Sequence, residues 1–335
     1  MSSARPVVDV AVGIVIRPAD GWILIGQRPA GKPFEGWWEF PGGKFEPGET
    51  PAQATARELD EELGIQVRDS QPWVVREHVY EHAHVRLHFR RVTDWQGEPQ
   101  SREGQAFAWC PPAAVDVEPL LPASLAPIRW LGLPSVYAIS DAGGQGVDAW
   151  LARLAHWLQT LRENRRTDSH SGRPLLLLRE PSLSGPAFDA LFDAVMQAVP
   201  GSGVRVLVSS RHPHRHARQA AATGGGIHLT GADLHACLTA ADGQRPDYPL
   251  VAASCHSAAD LQAAGRLEVD LAVCGPVLPT RSHPDAPTLG WAAFEQMIAH
   301  TPVPTYALGG CHPADAPRAQ AAGAQGIAMQ RAIWP

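Results

Sequence analysis

Lysine is nearly absent from this 335-residue chain: only Lys32 and Lys44 occur, and arginine supplies the rest of the 28 basic side chains. Phosphate recognition, if there is any, therefore falls mainly to arginine forks and backbone amides. Excess positive charge is missing too. A net charge of −6 argues against binding a nucleic acid polymer and is compatible with a small anionic substrate. The five cysteines, Cys110, Cys237, Cys255, Cys274 and Cys311, are scattered, odd in number and form no C-x-x-C pair. That spacing excludes a disulfide framework or a zinc ribbon and suits a reducing compartment. There is no signal-peptide pattern and no apolar run of membrane-spanning length. The expected location is the cytoplasm, with no membrane partner.

What is present is an ordinary globular composition, 44% apolar and 19% charged, in a chain longer than one typical domain. Two domains are expected, spanning residues 1–132 and 133–335, with the boundary near Leu133-Pro134.

The first of these is organised around GKFEPGETPAQATARELDEELGI, residues 43–65. Thr50 reads as an N-cap, Pro51 as the first helical residue and Gly64 as the C-terminal stop. Within this helix Glu58, Glu61 and Glu62 stand at i, i+3 and i+4 and so share one face. Like charges on one face repel, and the arrangement makes sense if a hard divalent cation sits among them. Oxygen-only ligands suit Mg²⁺ or Mn²⁺. Arg57 is expected to point elsewhere and pair with Glu49, bracing helix against loop.

Gly43, Glu49, Arg57, Glu58, Glu61, Glu62 and Gly64 fall at the intervals of G-x5-E-x7-R-E-U-x-E-E-x-G-U, in which U is bulky and aliphatic. The stretch is thus identified as a Nudix box. The flanking segments AVGIVIRP, GQRP, WWEFPGGKFEPGETP, DWQGEP and REGQAFAW resemble the MutT branch, over residues 7–131. The resemblance implies hydrolysis of an oxidised purine nucleoside triphosphate such as 8-oxo-dGTP to the monophosphate and pyrophosphate. It implies Mg²⁺ held by Glu58, Glu61 and Glu62, with the Gly42 carbonyl and Glu103 as further ligands; which carboxylate is the general base stays open. Arg28, Glu39, Phe40, Pro41 and Gly42 match substrate-contacting positions. There is one departure: Ser124 stands where the branch has a base-reading Asn, and one hydroxyl offers a purine edge less than an amide does. Trp37, Trp38 and Tyr80 are either base-pocket or core residues.

Strands are expected over residues 7–17 and 22–27 (as a hairpin), 37–40, 67–80, 84–92 and 107–110, with a closing helix over 125–131. Together with the acidic helix they make a mixed α/β/α sandwich. Beyond residue 134 come eight short apolar runs, most of them separated by helical segments: 136–140, 175–179, 204–209, 226–229, 250–254, 271–277, 305–308 and 326–329. Fully apolar strands alternating with helices imply a parallel sheet, and eight of them a (β/α)₈ barrel whose last helix is reduced to 331–335 or missing.

The ends of these runs, LLLLRE (Arg179), GGIHLTGADL (His228, Asp233), AASCHSAADL (Ser254, His256), DLAVCGPVLPT, ALGG (Gly309, Gly310) and GIAMQRAI, resemble the thiamine phosphate synthase and TenI superfamily. A synthase would need Lys after the strand-two Arg, an Asn-Asp pair after strand three and a Thr-x-Thr-Lys. Here stand Glu180-Pro181, Ser209-Ser210-Arg211 and Thr280-Arg281-Ser282-His283, leaving Asp233 as the one metal ligand of that set. Tautomerases of the TenI type need only a His after strand five, and His256 occupies that place. The expected ligand is a phosphorylated thiazole or pyrimidine, with Gly309, Gly310 and the backbone near Ala328 as its phosphate cradle. A non-catalytic binding module is the other reading. The run His212-Pro213-His214-Arg215-His216 is read as a polar helix start, with metal binding as its alternative.

Overall fold

The computed structural model describes residues 6–81, 83–164, 172–240, 243–280 and 287–334. The chain divides into two compact units, Met1–Gly132 and Leu133–Pro335.

In the first unit, β1 (Val7–Val15) lies between β4 (Gly42–Lys44), antiparallel to it, and β6 (His84–Gln96), parallel to it. The long β5 (Gln66–Val79) completes this mixed sheet as β4-β1-β6-β5. A second sheet has the order β3-β2-β7, from Trp38–Glu39, Ile23–Gln27 and Phe107–Cys110. The expected hairpin between β1 and β2 is therefore corrected. Its turn exists, closed by the Arg17–Asp20 ion pair and by Arg17 N–H donating to the Trp22 carbonyl at 2.8 Å. After a single Ile16–Ile23 bridge the two strands part. Both hydrogen-bonding edges of β1 are filled by β4 and β6, which leaves β2 to find its partners in β3 and β7.

Helix α1 (Pro51–Leu63) begins with a capping box: the Thr50 hydroxyl accepts from Gln53 N–H, and the Gln53 side chain accepts from Thr50 N–H at 2.9 Å. It stops at Gly64, whose φ of 71° is left-handed and whose N–H donates to Asp60. Its inner face buries Leu59 and Leu63 against Val15, Leu24, Ile65 and Val92. That packing fixes which way the opposite, acidic face looks. Helix α2 (Pro122–Leu131) closes the unit, with Trp130 edge-on to Trp73.

In the second unit, eight parallel strands close into a barrel. They are β8 (Val136–Ile139), β9 (Leu175–Leu178), β10 (Arg205–Ser209), β11 (Gly226–Leu229), β12 (Leu250–Cys255), β13 (Leu271–Cys274), β14 (Thr305–Leu308) and β15 (Gly326–Met329). Pairing of β15 with β8 and of β8 with β9 seals the ring. The strands are short and almost wholly buried, the pattern of a sheet covered on both faces. In place of an eighth helix, Trp334 is buried edge-on to Trp150 and Trp157, and its ring N–H donates to the Ile139 carbonyl at 2.8 Å. Among the described residues no helix is long and apolar enough to cross a membrane.

Candidate active site

The double glycine of β4 is needed on steric grounds. Gly42 has φ of 147°, and a Cβ there would stand 2.1 Å from the Ala11 carbonyl oxygen. A Cβ on Gly43 would stand 2.3 Å from the carboxyl group of Glu58. Two glycines thus let the acidic face of α1 come down onto the backbone of β4. Glu62 uses that closeness: its Oε2 accepts the Gly42 N–H at 3.1 Å.

Arg57 lies across the acidic face and does not point away from it, contrary to the expectation from the sequence. Its Nε and Nη2 grip both oxygens of Glu49 at 2.8 and 3.0 Å. Nη2 also donates to the Lys44 carbonyl at 2.9 Å, and Nη1 to Glu58 at 2.9 Å and Glu61 at 3.0 Å. The arginine that braces the loop also neutralises part of the carboxylate cluster, because a planar fork on a helix reaches both neighbours at once. The guanidinium holds Glu49 below the usual carboxylate range. Glu61 remains 56% exposed while Glu58 is largely covered.

The carboxyl that this arrangement disfavours most as a free anion is Glu62. Burial, and then the nearby charges of Glu58, Glu103 and Glu39, push its carboxyl up to about 8. Burial also raises Glu58 and Glu39. Among the described residues no three His, Cys, Asp or Glu side chains converge into a ready-made cage. The fit to a divalent cation rests on this electrostatic imbalance: hard carboxylate oxygens, desolvated and mutually repelling, beside one backbone strand. Glu58, Glu62 and Glu103 are the side chains that would hold it, and Gly42 lines the same cavity.

Glu58, Glu62 and Glu103 line one cavity of about 540 Å³ together with Arg28, Glu39, Phe40, Pro41 and Gly42. Arg28 is fixed there by its ion pair with Glu39 and by Nε donating to the Pro33 carbonyl at 2.6 Å. Phe40 is buried, edge-on to Phe89, and Tyr80 leans on Phe34. Trp37 packs edge-on to Phe34, and neither Trp37 nor Trp38 lines the cavity. Ser124 is buried on α2 and lines a small recess of about 40 Å³ that has Glu39, Phe40 and Tyr80 in common with that cavity. A contact the sequence reading missed is Lys32 Nζ on Glu103 Oε2 at 3.0 Å. Nothing in the local pattern signals it, because the two residues stand 71 positions apart.

In the barrel, the residues singled out from the sequence lie at or near the C-terminal ends of the strands. His228 is buried; its Nδ1 is 3.1 Å from the Tyr137 hydroxyl and its Nε2 is 2.9 Å from Ser254 Oγ. Tyr137 is fully buried, so both ring nitrogens of His228 and the phenol meet their hydrogen-bond needs within this Tyr137–His228–Ser254 chain. Burial, and secondarily the charge of Arg179, lower His228 to about 3. Asp233 lies in the first turn of the helix that Thr230 caps, and it accepts from the Ser210 and Thr230 hydroxyls at 2.5 and 2.6 Å. His256 is exposed just after β12, its Nδ1 3.2 Å from the Gly275 carbonyl. Gly309 and Gly310 have φ of 99° and 67°, and Cβ atoms there would collide with Pro276 and Leu278. Among the residues missed from the sequence is Glu180, whose buried carboxylate accepts the Ala142 and Gly143 amides, each at 2.8 Å. The 212–216 histidines do not converge. His212 stacks on Phe188, and His216 is buried against Phe188, Phe192 and Asp189. Residues 281–283 of the Thr-x-Thr-Lys counterpart lie outside the described residues.

A mixed-sheet unit carrying this glutamate helix, followed by a closed parallel barrel, defines a Nudix hydrolase domain joined to a thiamine phosphate synthase-type barrel. Family comparison agrees: the NUDIX domain matches residues 8–131 and the thiamine monophosphate synthase (TMP-TENI) family matches 137–333, so the chain belongs to both families. The first unit is similar to the CTP pyrophosphohydrolase of Escherichia coli K12, 41% identical over 124 residues, 35% of this chain and 86% of that protein. It is also similar to the 8-oxo-dGTP diphosphatases of Haemophilus influenzae (39% over 120 residues, 36% and 88%) and Escherichia coli K12 (39% over 116 residues, 35% and 89%). The chain is an enzyme of the Nudix pyrophosphohydrolase class.

Proposed function

We propose that the first unit hydrolyses an oxidised purine nucleoside triphosphate, 8-oxo-dGTP, to its monophosphate and pyrophosphate in a Mg²⁺-dependent reaction that Mn²⁺ also supports. The observation that carries this reading is Glu62: buried, hydrogen-bonded to the Gly42 amide, and sharing with Glu58 and Glu103 a cavity that also takes in Arg28, Glu39 and Phe40. The cation would act as Lewis acid on the phosphate oxygens. Arg57 and Glu49 are positioning residues that hold Glu58, while Glu61 stands at the exposed edge of the same cluster. The two 8-oxo-dGTP diphosphatases among the relatives support the substrate.

A second reading, a pyrimidine triphosphate, is favoured by the CTP pyrophosphohydrolase relative and by Ser124. Ser124 lies in a small recess that shares Glu39, Phe40 and Tyr80 with the main cavity, and its single hydroxyl offers a purine edge less than an amide would. The fused barrel favours a third, a thiamine-pathway pyrophosphate.

The test is steady-state hydrolysis of 8-oxo-dGTP, dGTP, CTP and a thiamine pyrophosphate analogue with Mg²⁺. A large preference for 8-oxo-dGTP over dGTP supports the first reading; preference for CTP or for the thiamine compound replaces it. For the barrel we propose a binding site for a phosphorylated thiazole or pyrimidine, with Arg179, Ser254, His256, Gly309 and Gly310 at its mouth. Thiazole isomerisation and ligand binding unaltered by His256→Ala would remove any catalytic role for the barrel.

A further inference from the structure

Both lysines of the chain line the cavity of the first unit. Lys32 sits on a loop whose two ends are tied together: Arg28 N–H donates to Trp37 at 2.8 Å and Gly36 N–H to Arg28 at 3.0 Å. The Gln27 side chain adds a bond to the Gly36 carbonyl at 2.9 Å. From this anchored loop the ammonium crosses 71 positions of sequence to Glu103, and both side chains are about half exposed.

Resting on the cation site read above, we propose that Lys32 is a substrate phosphate-binding residue that Glu103 holds until a divalent cation arrives. With Glu103 engaged as a ligand of that cation, the Lys32 ammonium would be free to bind the polyphosphate.

The chemistry follows from charge. One carboxylate does not serve an ammonium and a divalent cation equally, and the two cations repel at close range. An exposed ion pair is weak, so the exchange costs little. The tied loop keeps the ammonium beside the cavity after it lets go. Of the other cations lining the cavity, Arg28 is already engaged by Glu39 and Pro33, and Lys44, the second lysine, stands on β4. With Glu103 neutralised, the triphosphate is the strongest anion within reach of Lys32.

The test uses the full chain with Lys32→Met and Lys32→Arg. Mn²⁺ binding without nucleotide is followed by electron paramagnetic resonance, and KM and kcat are measured on the best triphosphate of the panel. Removing an exposed pair of this kind is expected to tighten Mn²⁺ binding by up to about fivefold in Lys32→Met. KM rises in the same variant, with the larger share of the loss in KM and not kcat, and Lys32→Arg returns both values toward wild type. Opposite movement of metal and substrate affinity is not expected from a merely structural lysine. Unchanged Mn²⁺ affinity and KM, or weakening of both together, overturns the proposal. Wild-type enzyme that hydrolyses no triphosphate with Mg²⁺ or Mn²⁺ instead overturns the site reading beneath it.

Discussion

Glu62 accepts the amide of Gly42 at 3.1 Å, joining helix α1 to strand β4 across 20 positions of sequence. The bond places a desolvated carboxylate against the backbone of β4, and two glycines make the approach possible.

Replacing Glu62 by Gln keeps the shape and the hydrogen bond while removing the charge. If that charge helps hold the cation, the variant loses several kcal/mol of transition-state stabilisation, roughly a thousandfold in kcat. Thermal stability of the cation-free protein at neutral pH stays the same or rises, because Glu62, pushed up to about 8, must take up a proton on folding and Gln need not. Steady-state kinetics with a melting curve checks both halves; turnover within tenfold of wild type would remove Glu62 from the centre.

Gly43→Ala tests the steric argument. Its Cβ would stand 2.3 Å from the Glu58 carboxyl, so that side chain must move, although Arg57 holds it from the other side. A displacement of this order in a metal-binding carboxylate is expected to cost about a hundredfold in rate with the fold retained. Full activity in a folded Gly43→Ala protein would contradict the close approach.

What the sequence made legible was local or strongly patterned. Thr50, Pro51 and Gly64 announce α1 because caps depend on residues a few positions apart. The barrel strands announce themselves because strands covered on both faces carry uninterrupted apolar runs. The partner of β2 was not legible, since it depends on distant strands having already filled both edges of β1. Nor was the reach of Arg57: spacing puts side chains on a helix face but does not say that one fork will serve Glu49, Glu58 and Glu61 together. Contacts such as Lys32 with Glu103, and Tyr137 with His228 across 91 positions, leave no trace in periodicity.

Ser124→Asn would restore an amide beside Glu39, Phe40 and Tyr80, in a recess of about 40 Å³. A good bidentate contact to a base edge discriminates by about 1–3 kcal/mol, so selectivity for 8-oxo-dGTP over dGTP should rise by about tenfold. Competition assays with both nucleotides measure the ratio. An unchanged ratio would mean that the base is read elsewhere, with Arg28 and Glu39 the nearest candidates.

His228 makes the stability of the barrel depend on pH. Its folded value of about 3 lies below the ordinary 6.5, so between those values the unfolded chain carries a proton that the folded one does not. Stability is therefore greatest above pH 6.5 and falls as the pH drops toward 3, by up to about 1.4 kcal/mol per unit from this one group. His212, lowered to about 4 by burial, adds in the same direction. In His228→Asn an amide can still meet the Tyr137 hydroxyl and Ser254 but does not titrate. Calorimetry of the full chain between pH 7.5 and 4.5, following the transition that this variant shifts, should show a steep fall in wild type and a flatter one in the variant. Equal slopes would mean that His228 takes up its proton in the folded barrel as readily as in the unfolded chain, and the Tyr137–His228–Ser254 relay would then have to carry an imidazolium.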